Sequence, residues 1–404
     1  MYSFLANLTI FPVEASGGNS LDSSSFELFK FPVGTKISDA MAHPTEPVIF
    51  AVDSANSVVY SVNVETGTVE EAYVDGTIER LDYFNDELFV TVLTGPHDSY
   101  RPKDDQNGAI AVIDANTMEL KEKIDIDIDP FDIVAGRDGY LYVTSGSGQW
   151  TNINSYSRST KKLTDSKRIR QKSFAELHPT LNRIYTIDTD LSPRDYTAYN
   201  IDNGKFVSSY DSPYHGDYRL AKNFKISPDG KYLFNGSGVI FTCDEDKTKD
   251  MSFAFELDKA FSDIAFNMEE SKFYTTNGGN QIYVYNYEDY KNVDTLSSIG
   301  EISKLFYVNG KLCALSKNDN GMPMFEVINE LKIIYGDVYQ DGEVDSLDVT
   351  YLKRYILRKG VYELSEYSFL AADVDGDGRV DSLDLTLIKR YLLRKISEFP
   401  VSKK

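Results

Sequence analysis

The chain of 404 residues has only two cysteines, one tryptophan and four histidines, and its 42 lysines and arginines face 63 aspartates and glutamates. Each shortage excludes something. Cys243 and Cys313 stand far apart, each inside a β-like run, so they read as small buried hydrophobes and not as a disulfide framework or thiolate metal site. A net charge of −21 argues against nucleic acid and anionic membrane surfaces as partners. No apolar run reaches the length of a membrane span. The opening MYSFLANLTIF has neither the basic start nor the small-residue cleavage site of a signal peptide, so Met1 is read as a mature or recombinant start. Also missing are a nucleophile elbow, an HExxH pair, a Walker loop and a dinucleotide fingerprint. A soluble, extracellular chain with a core resting on size, not on disulfides, is the class left standing.

What the chain does have is a duplication. Residues 337–359 and 373–395 read DVYQDGEVDSLDVTYLKRYILRK and DVDGDGRVDSLDLTLIKRYLLRK, 36 positions apart and identical at 16 of 23 places. Both place aspartates at positions 1, 5, 9 and 12 and glycine at position 6. Ca2+ takes six to eight oxygens at about 2.3–2.6 Å, and a short loop supplies them only by curling round the ion, which the glycine permits. In the second copy the ligands would be Asp373, Asp375, Asp377, Asp381 through water, Asp384 and the Arg379 carbonyl. The first copy offers Asp337, Asp341, Asp345, Asp348 and the Glu343 carbonyl. Its position 3 is Tyr339, a poor substitute for a carboxylate, so two ions are expected with the first bound more weakly. Each loop runs into an apolar stretch of helical spacing, Leu352, Tyr355 and Ile356 in one copy and Leu385, Ile388 and Leu392 in the other. ELKIIYG before the first loop is too short and β-branched for a helix.

Loop plus following helix, twice, with a short helix at 365–372 between, resembles the type I dockerin module of cellulosomes over about the last 70 residues. That resemblance implies a cohesin domain on a scaffoldin as partner and a secreted, cell-surface cellulosome as location. It also implies that recognition falls to Ser346, Leu347, Lys353, Arg354 and Arg358 in one copy and to Ser382, Leu383, Lys389, Arg390 and Arg394 in the other. Apart from that complex, a monomer is expected.

The preceding residues alternate short strand-like runs with turns, and no long amphipathic helix occurs before Asp348. Seven units start at Ile37, Ile78, Phe131, Phe174, Phe224, Phe261 and Ile302, about 40–50 residues apart, the length of a four-stranded blade. His43-Pro44, His178-Pro179 and Ser227-Pro228-Asp229-Gly230 occupy the same turn between first and second strands, which makes both histidines turn residues. The repeat resembles YncE-like and WD40-like seven-bladed β-propellers. The expected fold is therefore mostly β, a propeller over 1–335 followed by a small all-α calcium-binding dockerin over 336–404. The seventh unit lacks a fourth strand, and FELFKFPV at 26–33 is expected to supply it and close the ring. Between the domains Leu331, Ile333 and Ile334 are apolar and are expected to hold the two close.

Long loops mark the functional face of such a ring. Segments 94–108, 145–155, 189–196 and 212–220 bring His97, Tyr100, Arg101, Trp150, Arg194, Tyr214, His215, Tyr218 and Arg219, expected to line one rim. Flat aromatics beside arginines and amides suit a carbohydrate, so a plant cell-wall polysaccharide or a protein is the expected ligand. The alternative is catalysis, a lyase with His97, Tyr100, Arg101, His215 and Arg219 around a uronate, or a glycoside hydrolase whose acid pair the sequence does not single out.

Overall fold

The computed structural model describes residues 25–102, 105–329, 334–358 and 362–403. Leu331 and Ile333, assigned above to the interdomain segment, lie outside them. The chain divides into two compact units, and the larger ends at Asn329.

In the larger unit 28 strands, β1 to β28 in chain order, form seven four-stranded antiparallel sheets. Their inner strands are β2 (Ile37–Ala42), β6 (Thr77–Phe84), β10 (Pro130–Ala135), β14 (Phe174–Leu177), β18 (Phe224–Ile226), β22 (Asp263–Asn267) and β26 (Glu301–Val308). Each starts within two residues of a unit start read from the sequence. Inner strands β2, β6, β10 and β14 touch in sequence, the Ile226 amide of β18 bonds Glu176 of β14, and β22 touches β26, which touches β2 and so closes the ring. Closure runs through β1 (Ser25–Lys30), which pairs antiparallel with β28 (Pro323–Ile328), the third strand of the last blade. Alternation puts Ile49, Ala51, Tyr60 and Val62 on one face of the first blade, against Phe31, Phe306 and Phe325. The opposite face packs on the second blade. Every sheet is thus buried on both sides, which is why its central strands read as continuous apolar runs.

The two His-Pro turns share one device. His43 Nδ1 accepts the amides of Thr45 and Glu46 at 3.1 and 2.8 Å. His178 Nδ1 accepts those of Thr180 and Leu181 at 3.1 and 2.8 Å, and its Nε2 meets the Gly230 carbonyl at 2.8 Å. Burial pushes both imidazoles below their ordinary value. They are neutral turn caps.

A channel of about 510 Å3 is lined by the inner strands. Their acids tie each blade to the next: Asp39 accepts the Leu81 amide at 3.2 Å, Asp82 that of Ala135 at 2.7 Å, Asp132 that of Ala175 at 2.9 Å, Glu176 that of Ile226 at 3.0 Å and Asp263 that of Leu305 at 2.7 Å. Lys225 and Lys304 take the equivalent places in the two remaining blades and pair with Glu176 and Asp39, each at 2.6 Å. Among the described residues Asp82 and Asp132 are in no ion pair. Burial pushes Asp82 up to about 7 against the pull of its amide hydrogen bonds, and Asp132 up to about 6 against the Arg80 charge and its amide hydrogen bond.

A carboxyl raised in the fold binds its proton more tightly there than in the unfolded chain. Its stabilising share is present in full below the unfolded value and is lost as pH rises through the folded one. Propeller stability is therefore expected to fall between about pH 4 and pH 7 by the share of these two acids. Thermal melts of Asp82→Asn should show a shallower decline across that window. An unchanged slope would refute the assignment.

In the smaller unit α1 (Ser346–Leu357), α2 (Glu366–Ala372) and α3 (Ser382–Leu392) surround Val338, Leu352, Ala372, Val374, Val380, Ile388 and Phe399. Duplication is visible here as pairs, Val338 with Val374 and Leu352 with Ile388. Phe399, from beyond the second copy, lies 4.7 Å from the Tyr391 ring and fills the space between the copies' apolar faces.

Candidate metal centre and loop-face cleft

In the second loop Asp373 acts as the hub. Its Oδ1 accepts the amides of Gly376 and Asp377 at 2.9 and 3.1 Å, and its Oδ2 accepts that of Gly378 at 2.9 Å. Gly376 and Gly378 adopt φ of +69° and +81°, where a Cβ would be strained. Carboxylate oxygens of Asp373, Asp375 and Asp377 then lie within 4.8 Å of one another, the one such cluster among the described residues. Ligands on opposite sides of a Ca2+ stand about 4.6–5.2 Å apart. The donor set fits that ion. Asp384 closes the loop from α3, accepting the amides of Val374 at 3.0 Å and Asp381 at 2.9 Å. Burial, with Asp375 and Asp373 beside it, pushes its carboxyl up to about 6, and a divalent cation would remove that penalty.

The first loop repeats the scaffold with one ligand missing. Asp337 accepts the amides of Gln340, Asp341 and Gly342 at 2.8, 3.2 and 2.9 Å. Asp348 accepts those of Tyr339 and Asp345 at 2.9 and 2.7 Å. Gln340 adopts φ +66° where the second copy has Gly376. Its side chain compensates by donating to Ser365 and Ser368 on α2 at 2.6 and 3.0 Å. Tyr339 is half exposed and its ring lies edge-on to Tyr351, 5.6 Å away. No carboxylate stands at position 3.

Asp345 and Asp381 are the N-caps of α1 and α3, each accepting the amide two residues on and forming a capping box with Asp348 and Asp384. One oxygen of each is thereby committed to its helix. Glu343 and Arg379 sit at position 7, exposed. Ser346, Leu347, Lys353, Arg354 and Arg358, and their counterparts Ser382, Leu383, Lys389, Arg390 and Arg394, are all exposed. Among the described residues none of these six cations is ion-paired.

On the propeller, His97, Tyr100, Arg101 and Trp150 come from the second and third blades, and the other five loop-face residues come from the fourth blade and the connection after it. His97 is buried between Asp129, 2.7 Å from Nδ1, and Glu79, 2.8 Å from Nε2. Gly146 carries no Cβ because one there would collide with the His97 ring. Burial alone would depress this imidazolium; the two carboxylates outweigh burial and hold it up at about 9. Both ring nitrogens are engaged by carboxylates, which favours the protonated ring at neutral pH. Arg101 stands 3.8 Å from Asp129 and Tyr100 is exposed. Trp150 opens β12 (Trp150–Ser157) and is not in a loop as its Gly/Ser/Asn context implied; it is 54% exposed.

The other five are Arg194, Tyr214, His215, Tyr218 and Arg219. Arg194 braces its loops by donating to the carbonyls of Leu220 and Thr189 at 3.0 and 3.3 Å. Tyr218 stacks on Phe253 at 5.3 Å, and Tyr214 packs edge-on to Tyr218 at 4.9 Å. These tyrosines belong to the blade's packing. His215 is 79% exposed, with Nδ1 2.6 Å from Asp195, and Arg219 points to solvent. Sequence reasoning missed Asp129, Glu79 and Asp195, whose roles come from chain crossings with no local signature.

Residues 335–393 match the family described as the dockerin type I domain. No curated protein matches the chain. Among solved structures it is similar to Kuenenia stuttgartiensis hydrazine synthase, with 14% identity and a TM-score of 0.54 over 74% of this chain and 99% of that one. At that identity the likeness is one of fold. The C-terminal residues 335–393 are a dockerin type I domain, carried behind a seven-bladed β-propeller.

Proposed function

We propose that the chain is a secreted cellulosome component whose dockerin binds a cohesin on a scaffoldin in a calcium-dependent way, while the propeller binds a plant polysaccharide. The observation that carries the first half is the duplicated loop and helix with its three-carboxylate cluster, fitted to Ca2+ in the second copy. Calcium supplies charge neutralisation and fixes the loop. This chain's residues do the rest: Asp345 and Asp381 start the helices, and the helices then present Ser-Leu and Lys-Arg pairs to a partner. Near-identity of the copies means that either helix offers the same groups.

Charge reversal at Lys353 and Arg354 alone is expected to leave cohesin affinity within about twofold, the statistical loss of one of two equivalent modes. Reversal at Lys389 and Arg390 as well should abolish binding. Surface plasmon resonance against a type I cohesin decides it, and abolition by either pair alone would contradict equivalence.

Binding rather than catalysis is favoured for the propeller by the state of His97, which is clamped and charged. Exposed Trp150 with arginines and amides around it supplies a sugar platform. Screening the full chain against pectins, xylans and glucans for retention and for product release separates the two readings. Retention without release supports binding, and release that His215→Ala abolishes supports a hydrolase or lyase.

A further inference from the structure

We propose that the cleft between the second and third blades selects saccharides that carry carboxylates, hexuronates in particular. The inference rests on the polysaccharide-binding reading above and adds the charge of the ligand. Trp150, Asn152 and Asn154 share one face of β12, and β13 (Leu163–Arg170) runs antiparallel beside it with Arg170 opposite Trp150 and Arg168 opposite Asn152. The two guanidinium groups lie 5.6 and 5.5 Å from the indole centre. Arg101 enters from the second blade's long loop, and with Trp150, Asn152, Asn154 and Arg168 it bounds a cavity of about 200 Å3. That is below the ~300–1,000 Å3 of sites enclosing drug-sized ligands, so the cleft takes one ring or a chain end.

The charges point to an acid. Arg170 is fixed by Asp190 at 2.8 and 3.1 Å. Arg168 is exposed and has no ion-pair partner among the described residues. Arg101 Nη1 stops 3.8 Å from Asp129 Oδ1, and both atoms are buried without a hydrogen-bond partner. Among the described residues neither Arg168 nor Arg101 is held in a close ion pair, and both face one cleft. Asp127, the one acid among the described lining residues, already accepts the Tyr156 hydroxyl at 2.6 Å. Guanidinium forks match carboxylates in geometry as well as charge, an indole face covers a sugar ring, and Asn152 offers its amide to ring hydroxyls.

The test is calorimetry on the full chain at fixed calcium with trigalacturonate, its methyl ester, cellotetraose and polyglutamate. The expected result is binding of trigalacturonate, weakened at least about tenfold by methyl esterification, by Arg168→Gln and by Trp150→Ala. Arg101→Gln is a second charge variant, and Arg168 at the exposed mouth keeps the test valid if that one fails to fold. Equal binding of cellotetraose and trigalacturonate, lost in Trp150→Ala but kept in Arg168→Gln, overturns the acid selection and leaves the polysaccharide reading standing. Equal binding of polyglutamate overturns it as mere charge attraction. No binding of any saccharide overturns both.

Discussion

Chelation of calcium is expected to unfold residues 334–403 while the propeller keeps its own melting transition. The smaller unit has a core of seven fully buried apolar side chains, and domains of this size are marginal without a staple. Against that core stand the five aspartates of the second loop and the four of the first, whose repulsion only backbone amides offset once the ion is gone. An ion at a hundred times its dissociation constant stabilises by about 2.7 kcal/mol per site. Two sites then contribute about 5 kcal/mol, comparable with the whole stability of a small domain. Scanning calorimetry should show two transitions in calcium and one in chelator. Asp373→Asn should act like partial chelation, and Tyr339→Asp, by restoring a carboxylate at position 3, should tighten the first site. An unaltered pair of transitions in chelator would contradict this.

Loss of β1 is expected to be as severe for the propeller. β1 pairs with β28 from Ser25 to Lys30, and directly after it Phe31 is buried against Tyr60 and Phe325 at ring distances of 5.1 and 5.3 Å. Phe31 thus bridges the last blade and the first. Phe31→Ala should cost about 3–5 kcal/mol. Deleting residues 1–31 should do more, because it also bares the β28 edge, which carries Met324, Phe325 and Val327 and invites pairing with another chain. Denaturant melts and size-exclusion chromatography report both effects. A truncated chain that stays monomeric with an unshifted midpoint would show that the ring does not need this closure.

Much of this architecture was legible because it is local or periodic. The blade starts from Ile37 to Ile302 follow from strand, turn and strand recurring at near-constant spacing. The acidic loop follows from five carboxylates compressed into twelve residues. What stayed hidden depends on residues distant in sequence meeting in space. Asp82 looks like any surface aspartate until β10 brings the Ala135 amide to it, 53 residues on. His97 reads as a loop base, and only the approach of Asp129 and Glu79, 32 and 18 residues away, turns it into a buried cation. Trp150 sits among Gly, Ser and Asn, turn-forming residues, yet pairing with Arg170 draws it into a strand. Asp345 and Asp381 show the reverse limit, since one local pattern, Asp-Ser-Leu-Asp, encodes a metal loop and a capping box at once.

The measurement that bears most directly on the account is capture of the full chain by immobilised type I cohesins, in calcium and again in chelator. The account predicts saturable capture by at least one cohesin in calcium and its disappearance in chelator. Capture that chelator leaves intact, or silence from every cohesin in calcium, would contradict it.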